Sequence, residues 1–485
     1  AADTAAPRAT PNGDWTRHEL TIPVAADAHS LVVTLGITGS GSVWFDALTL
    51  SVDGSPVTEL STGPGATEAA IEWLARNSLP LHSVRPPAND TAADDADLAL
   101  FDRIVRGARI VALGESTHGT REFFLAKHRL LEYLVRRHGF SVFAIEANQI
   151  AVETLNRYVH GGNGTARDAM RVMFRVWDTE EVEALVQWMR AHNAAHPDRS
   201  LRFVGYDMQD HTRPIDSLRA FLVGSDSSLA TMVQQLLGEY RTQRSWSTPQ
   251  VPDTVRRNWR RGAEHVYEAV SARRAAWLAA ARDRADSVRV EWAVQAANLL
   301  RQAALGNETL NVPDRDSLMA ANIDWVLRTL EPDARAVVWA HDIHVSRGGD
   351  RKLSYNAGAT MGAQLRRLYG DAYRAFSLLT YEGEYSATKS LSDHTMIAAA
   401  ALPAPRASLE HALHRVRRPR ASIGLTLDLR GARADESARW LQRPHRLRHV
   451  GYAAYDFAFD LEAVFPLEFD AVIFVDRTTA SRQLP

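Results

Sequence analysis

The chain has 485 residues, a formal net charge of −2 and no cysteine. The balanced charge gives no basic surface for nucleic acid, and no apolar run approaches the roughly 20 residues that a membrane helix needs. The lack of cysteine excludes disulfides, thiolate metal sites, iron–sulfur clusters and a cysteine nucleophile. We therefore expect one large and one small globular domain, with neither nucleic acid nor membrane as a partner.

Residues 1–66 predict a β-rich N-terminal segment and a linker. Alternating runs such as "LTIPV", "LVVTLGI" and "SVWFDALTLSV" indicate strands, and "GSG" and "DG" indicate turns. "VWFDALTL" resembles the closing strand of a carbohydrate-binding β-sandwich, but only about four strands are present where about seven are usual. We expect a β-rich extension of the main domain, with residual sugar binding as the alternative.

The same segment bears on location. Sugar-binding sandwiches are commonest on exported proteins, so a β-rich N-terminal segment favours export over a cytoplasmic location. The first residues, "AADTAAPRATPNGD", are small and polar and look like a mature or trimmed end.

Residues 67–485 predict an α/β domain. Helical patterns such as 122–139 and 180–193 alternate with short apolar runs, which favours a mostly parallel central sheet with helices on both faces. From about 213 to 333 the strand signals stop, and we expect a helical insertion that forms a cleft. The predicted strands are 109–113, 141–147, 201–207, 335–341, 373–380, 422–429 and 469–476.

Acids and histidines follow four of these predicted strands. Because ligands bind at the carboxyl ends of the strands in open α/β sheets, we expect these side chains to share one site. In chain order they are Glu115 and His118, Glu146, Asp207, and then His341 and His344.

The stretch "LGESTHGTREFF" raises the question of a serine nucleophile at Ser116. A nucleophile elbow requires G-x-S-x-G, and here His118 occupies the position of the second glycine. The motif occurs nowhere else in the chain. We therefore expect the Ser116 hydroxyl to bond the backbone of the turn or a neighbouring carboxylate, and water to be the nucleophile.

Histidine is the side chain best suited to deprotonate water near neutral pH. His118 lies beside Glu115, and a carboxylate that accepts from one ring nitrogen leaves the other nitrogen to act as the base. His341 or His344 would then donate a proton or a hydrogen bond during ester cleavage. The cationic candidates for an oxyanion or carboxylate product are Arg121, Lys127, Arg129 and Arg315.

Two other functions stay open on the residues alone. In a metal-dependent hydrolase, His118, Glu115, Glu146, His341 and His344 would supply nitrogen and oxygen ligands to zinc or manganese, although no HExxH motif is present. The other alternative is a non-catalytic, polysaccharide-related protein that binds glycans.

The stretch "LGESTHGTREFFLAKHRLLEYLVRRHGFSVFAIEA" resembles the erythromycin esterase family. The likeness continues in "RVWDTEEVEALVQWMR", "FVGYDMQD", "RDSLMAANIDWVL", "VVWAHDIHV" and "FDAVIFVDRTTAS". It covers most of residues 70–480 in the family's order, and the N-terminal segment lies outside it. The family hydrolyses the lactone ester of macrolides with a histidine-activated water, so the resemblance implies a macrolide lactone or a related bulky ester as substrate.

The resemblance also implies roles for individual positions, with no metal and no cofactor, and we expect a monomer. His118 matches the base, Glu115 its partner carboxylate and Glu146 a second site glutamate. Four further positions match catalytic residues of the family, namely Lys127, Arg315, His341 and His344. We assign Arg121, Asp207 and Trp177 to substrate binding. One position departs from the family: Asp342 stands where asparagine is commoner, and an added negative charge there would alter the substrate's polar contacts or the basicity of His341.

Overall fold

The structure is a computed structural model. It describes residues 17, 19, 21, 23, 51–52, 55–56, 65–87, 92–243, 251–309, 315–348, 360–390, 393–454, 459 and 461–484. The chain divides into two compact units, residues 1–60 and 61–485. Within the first unit a short antiparallel hairpin is described, formed by β1 (Ser51–Val52) and β2 (Ser55–Pro56). The other strands that we predict in this segment fall largely outside the described residues.

The second unit is built on a central mixed sheet. Its described strands run in the order β3-β10-β13-β8-β4-β7-β5-β6, with β9 paired to β8, and β11 pairs with β12 separately. The strands are β3 (Ser78–Leu81), β4 (Ile110–Leu113), β5 (Val142–Asn148), β6 (Arg202–Asp207), β7 (Ala336–Trp339), β8 (Tyr373–Thr388), β9 (Met396–Ala401), β10 (Gly424–Asp428), β11 (His445–Leu447), β12 (Leu461–Ala463) and β13 (Ala471–Thr478).

The pairs from β13 to β6 are all parallel, and β3, β9 and β10 pair antiparallel. The predicted α/β class with a mostly parallel sheet is therefore confirmed, and each of the seven predicted strands is present. The strands β3 and β9 were not predicted, because "SLPL" and "MIAAAA" lack the β-branched runs that mark the buried strands.

Helices cover the sheet on both faces, because alternate residues of a strand point to opposite sides. In β4, Val111 and Leu113 pack into one apolar cluster while Ile110 and Ala112 pack into another, and all four are fully buried. The helices are α1 (Glu68–Arg76), α2 (Ala99–Val105), α3 (Arg121–His138), α4 (Glu153–Val159), α5 (Ala166–Met170), α6 (Glu180–Ala195), α7 (Thr212–Ser225), α8 (Ser227–Thr242), α9 (Asp253–Ala279), α10 (Arg284–Thr309), α11 (Arg315–Trp325), α12 (Asp342–Val345), α13 (Met361–Tyr369), α14 (Leu409–Arg415) and α15 (Phe465–Glu468).

The helices α7 to α10 lie in the predicted helical stretch and pack around an apolar core of their own. Tyr240 and Trp259 stack there with ring centroids 4.8 Å apart, so this tryptophan is a packing residue. Along the described ranges, no helix has both the length and the apolar character needed to cross a membrane.

Candidate active site

The carboxyl ends of four adjacent parallel strands supply the candidate site. Strands β4, β7, β5 and β6 are neighbours in that order, so the residues that follow them meet at one edge. Glu115 and His118 follow β4, Glu146 lies near the end of β5, Asp207 ends β6, and His341 and His344 follow β7. The predicted strand-end residues are therefore brought together.

A buried chain of three side chains runs through the first of these loops. Nδ1 of His118 lies 2.6 Å from Oε1 of Glu115, and Nζ of Lys127 donates to Oε2 of Glu115 across 2.7 Å. Glu115 and Lys127 are fully buried, and His118 is 7% exposed. Burial lowers the pKa of Lys127, and the Glu115 carboxylate opposes that shift. Because a carboxylate oxygen accepts hydrogen bonds, the proton of this contact is assigned to Nδ1 of His118, and in the neutral ring Nε2 then holds the lone pair.

The loop that carries His118 is fixed by its backbone. The His118 N–H donates to the carbonyl of Val450, and the Val450 N–H donates to the carbonyl of Ser116. Gly119 follows with a φ of +71°, and a Cβ at this residue would lie 2.0 Å from the carbonyl oxygen of Ser386. A glycine is therefore required where the chain turns into α3.

His341 is a neutral hydrogen-bond donor in this arrangement. It is 1% exposed, and its Nδ1 accepts from the backbone N–H of Ile343 at 3.4 Å, so the ring proton belongs on Nε2. Nε2 has no hydrogen-bond partner among the described residues. Burial, with smaller contributions from nearby positive groups, lowers the pKa of His341 well below its ordinary value of 6.5.

Arg315, the first residue of α11, joins two of the strand ends. Its Nη2 lies 2.8 Å from Oε1 of Glu146 and 2.6 Å from Oδ2 of Asp207, and its Nε lies 3.2 Å from Oδ1 of Asp207. Although burial opposes ionisation, His344 and Arg315 lower the pKa of Glu146 to about 2. The other Glu146 oxygen, Oε2, has no hydrogen-bond partner in the described ranges.

Asp316 orients His344, and sequence reasoning missed this role. Its Oδ1 lies 2.9 Å from Nδ1 of His344, and its Oδ2 accepts from the backbone N–H of Met361. On the other side of the ring, Nε2 of His344 lies 3.7 Å from Oε1 of Glu146. Burial opposes the charged form, but Asp316 and Glu146 outweigh it and raise the pKa of His344. The position of Asp316 directly after Arg315 was the available signal.

The three predicted substrate-binding residues are all engaged with protein groups. Nε of Arg121 lies 3.0 Å from Oε1 of Glu181, so the described ion pair of Arg121 is with this glutamate and not with a site histidine. Asp207 is fully buried and bonds Arg315. Trp177 is 1% exposed, donates to the Glu146 carbonyl at 2.8 Å, and its ring lies edge-on to His118 at 5.2 Å. Their assignment to substrate binding stays a prediction.

Arg129 lies outside the site. It is 3% exposed, and its Nη2 lies 2.6 Å from Oδ1 of Asp97. The buried pair ties α3 to the segment before α2, which is a structural role.

Ser116 and Asp342 are buried beneath the site. The expectation that the Ser116 hydroxyl bonds a neighbouring group is wrong, because its Oγ is buried without a hydrogen-bond partner among the described residues. Oδ2 of Asp342 accepts from Oγ of Ser377 at 2.6 Å, and Oδ1 is unpartnered in the described part of the chain. Burial raises the pKa of Asp342 well above 3.8, although Ser377 and Lys127 oppose the shift.

His449, on the segment after β11, is a second residue that sequence reasoning missed. Its ring centroid lies 4.6 Å from that of His341 at an interplanar angle of 78°. No strand-end pattern marks it, because it comes to the site through the pairing of Val450 with the loop at Ser116. Within the described residues, no group of three or more histidine and acidic side chains is arranged to hold a metal ion.

The family model described as erythromycin esterase matches residues 135–478, more than half of the chain. The chain belongs to the erythromycin esterase family. The resemblance noted in the sequence is therefore confirmed. The matched range includes Glu146 and Arg315 but begins after Glu115 and His118.

Curated relatives agree with this family at low identity. YbfO from Bacillus subtilis (strain 168), which carries a hydrolase name, is 23% identical over 430 residues, covering 84% of this chain and 91% of the relative. Erythromycin esterase type II from Escherichia coli is 21% identical over 342 residues, covering 65% of this chain and 78% of the relative. The family and these names indicate a hydrolase with a small-molecule substrate.

Solved structures with a similar fold are known. A Bacillus cereus protein matches with a TM-score of 0.74 at 22% identity, over 87% of this chain and 100% of that chain. An erythromycin esterase mutant in its open conformation matches with a TM-score of 0.63 at 16% identity, over 83% of this chain and 98% of that chain. At these identities the likeness concerns the fold alone.

Proposed function

We propose that this protein is an esterase that hydrolyses a macrolide lactone or a related bulky ester, with His118 activating water. The observation that carries the proposal is the buried chain from Lys127 through Glu115 to His118. Lys127 fixes one carboxylate oxygen and His118 Nδ1 occupies the other, so Nε2 of His118 is the nitrogen available to take a proton. The bulky ester rests on family membership and the names of relatives.

The reaction needs no covalent enzyme intermediate. The water oxygen forms a bond to the acyl carbon while Nε2 of His118 takes a proton from that water. The tetrahedral intermediate then breaks its bond to the alcohol oxygen, which receives the proton from His118. The products are a carboxylic acid and an alcohol, and His118 returns to its neutral tautomer. The buried Ser116 side chain takes no part.

His341 is the donor best suited to the developing oxyanion. Its Nε2 carries the proton, has no partner in the described residues and stays within a neutral ring because burial lowers the pKa of His341. A donor that is already oriented and poorly solvated stabilises an oxyanion strongly, with losses of about 10²–10³ in rate when one such donor is removed.

Arg315 and Glu146 have a role that differs from those of the base His118 and the donor His341. Arg315 is held by Glu146 and Asp207, so its charge is largely balanced within the protein. Oε2 of Glu146 is left as an unpartnered acceptor in the described part of the chain. We infer that it accepts a hydrogen bond from the attacking water or from a substrate hydroxyl.

The test is mass spectrometry of a macrolide panel incubated with the wild-type protein and with His118→Ala. The proposal expects a product heavier by one water, absent with His118→Ala. His160→Ala, at an exposed histidine on the surface, is the matched control and retains the activity. Turnover by His118→Ala would refute the mechanism. If the wild-type protein hydrolyses none of the macrolides, the macrolide hypothesis is wrong, and other bulky esters are the substrates to test.

A further inference from the structure

Four aromatic rings, two of them from the site histidines His118 and His341, form a continuous row. Trp177 and His118 lie 5.2 Å apart between ring centroids, His118 and His341 lie 5.0 Å apart, and His341 and His449 lie 4.6 Å apart. The interplanar angles are 78°, 83° and 78°, so each ring meets the next edge to face. This is a favoured geometry for aromatic pairs, and it fixes the plane of each ring relative to its neighbours.

The last ring of the row is tied to the loop that carries the proposed base. Val450, next to His449, exchanges backbone hydrogen bonds with Ser116 at 2.9 Å and with His118 at 3.0 Å. His449 is partly exposed, whereas His341 is 1% exposed. The ring contact therefore joins the buried His341 to a histidine that is nearer to solvent.

The charges around His341 favour two neutral rings at this contact. The titratable groups that act on His341 are His449, His118, His344 and Lys127, and each of them disfavours a proton on it. Burial, followed by His118 and His344, also lowers the pKa of His449 to about 4. At neutral pH the pair packs as two uncharged imidazoles, without mutual repulsion.

We propose that His449 is a positioning residue for His341: its ring fixes the plane of the His341 imidazole and so the direction of Nε2. The inference rests on the proposed function for its catalytic consequence alone, because the ring contact exists with or without an ester. The row places His341 between His118 and His449, and removing the outer ring frees one face of His341. A misplacement of about 1 Å in a reacting group costs on the order of 10²-fold in rate.

Nuclear magnetic resonance of the histidine rings tests the contact without any substrate. With histidine labelled in the ring nitrogens, His449→Phe keeps the ring and should leave the His341 tautomer as in the wild type. His449→Ala should shift the His341 ring resonances and raise the pKa of His341, since it exposes that ring to water. Arg446→Ala, at an exposed residue of the adjacent strand β11, is the control and should leave the His341 resonances and the pKa of His341 unchanged. Unchanged His341 resonances in His449→Ala would overturn the proposal.

Kinetics on an ester that the wild type hydrolyses tests the consequence. His449→Ala should lower kcat by about 10-fold or more with a smaller change in KM, and His449→Phe should recover most of that loss. Equal losses in the two variants would overturn positioning by the ring, because Phe retains it. If the wild type hydrolyses no ester, the proposed function fails and the resonance experiment alone decides the role of His449.

Discussion

Nζ of Lys127 lies 2.7 Å from Oε2 of Glu115, and both side chains are fully buried. Removing one charge of such a pair leaves the other unpaired, at a cost of about 3–5 kcal/mol. Lys127→Met should therefore lower the free energy of unfolding by about that amount, as measured by urea denaturation. The double variant Glu115→Gln with Lys127→Met should recover part of the loss. Full stability in Lys127→Met would show that the pair is not buried as described.

Glu115→Gln should abolish most of the activity, and it should also lower stability because it leaves the buried Lys127 charge without its carboxylate partner. Because Lys127 donates to one side of this group, the glutamine carbonyl would turn towards Lys127 and its NH2 towards Nδ1 of His118. His118 would then carry its proton on Nε2 and lose the lone pair that takes a proton from water. We expect kcat to fall by about 10²–10⁴-fold. A kcat within twofold of the wild type would contradict the assigned tautomer.

Ionised Glu146 should stabilise the folded protein, and this contribution should disappear at acid pH. Its folded-state pKa of about 2 lies below the ordinary 4.5, so its contribution is fully present above about pH 4.5 and is lost as the pH falls towards 2. Glu146→Gln should flatten the fall of the unfolding free energy across this window, by on the order of 2–3 kcal/mol. Urea denaturation at intervals from pH 6 to pH 3 measures it. A wild-type and a variant curve that run parallel would refute the lowered pKa.

The fold and most of the site follow from local sequence patterns. The apolar runs at β4, β5, β6 and β7 predict buried strands, and the residues after them reach one sheet edge because parallel strands end together. His449 could not be predicted in this way. It reaches the site through backbone bonds of Val450 to a loop more than 300 residues earlier, and no periodic pattern records such a pairing. The ion pair of Arg121 with Glu181 likewise depends on the packing of α3 and α6.

The buried carboxyl group of Asp342 should favour its protonated form. Burial raises its pKa well above 3.8, so the folded protein binds a proton that the unfolded chain has already lost. Stability therefore falls as the pH rises from about 3.8 to the folded-state pKa. Asp342→Asn removes this penalty, and we expect it to be more stable than the wild type at pH 7 and equally stable near pH 3. Lower stability at pH 7 would show that the carboxylate form is required.

The close approach of β4 to the turn after β7 requires a glycine at position 114. A Cβ on Gly114 would lie 2.0 Å from Oδ1 of Asp342 and 2.7 Å from Cγ2 of Val345, both buried. The backbone oxygen of Phe376 would also lie 3.0 Å from this Cβ. Gly114→Ala should therefore destabilise the protein by about 1–3 kcal/mol or more and displace His341. The matched control is Gly224→Ala, whose Cβ would meet no atom within 4 Å and which should leave Tm unchanged or slightly higher. Thermal unfolding of the two variants beside the wild type gives the comparison. Equal Tm values for Gly114→Ala and Gly224→Ala would mean that the turn carrying His341 is not held against β4.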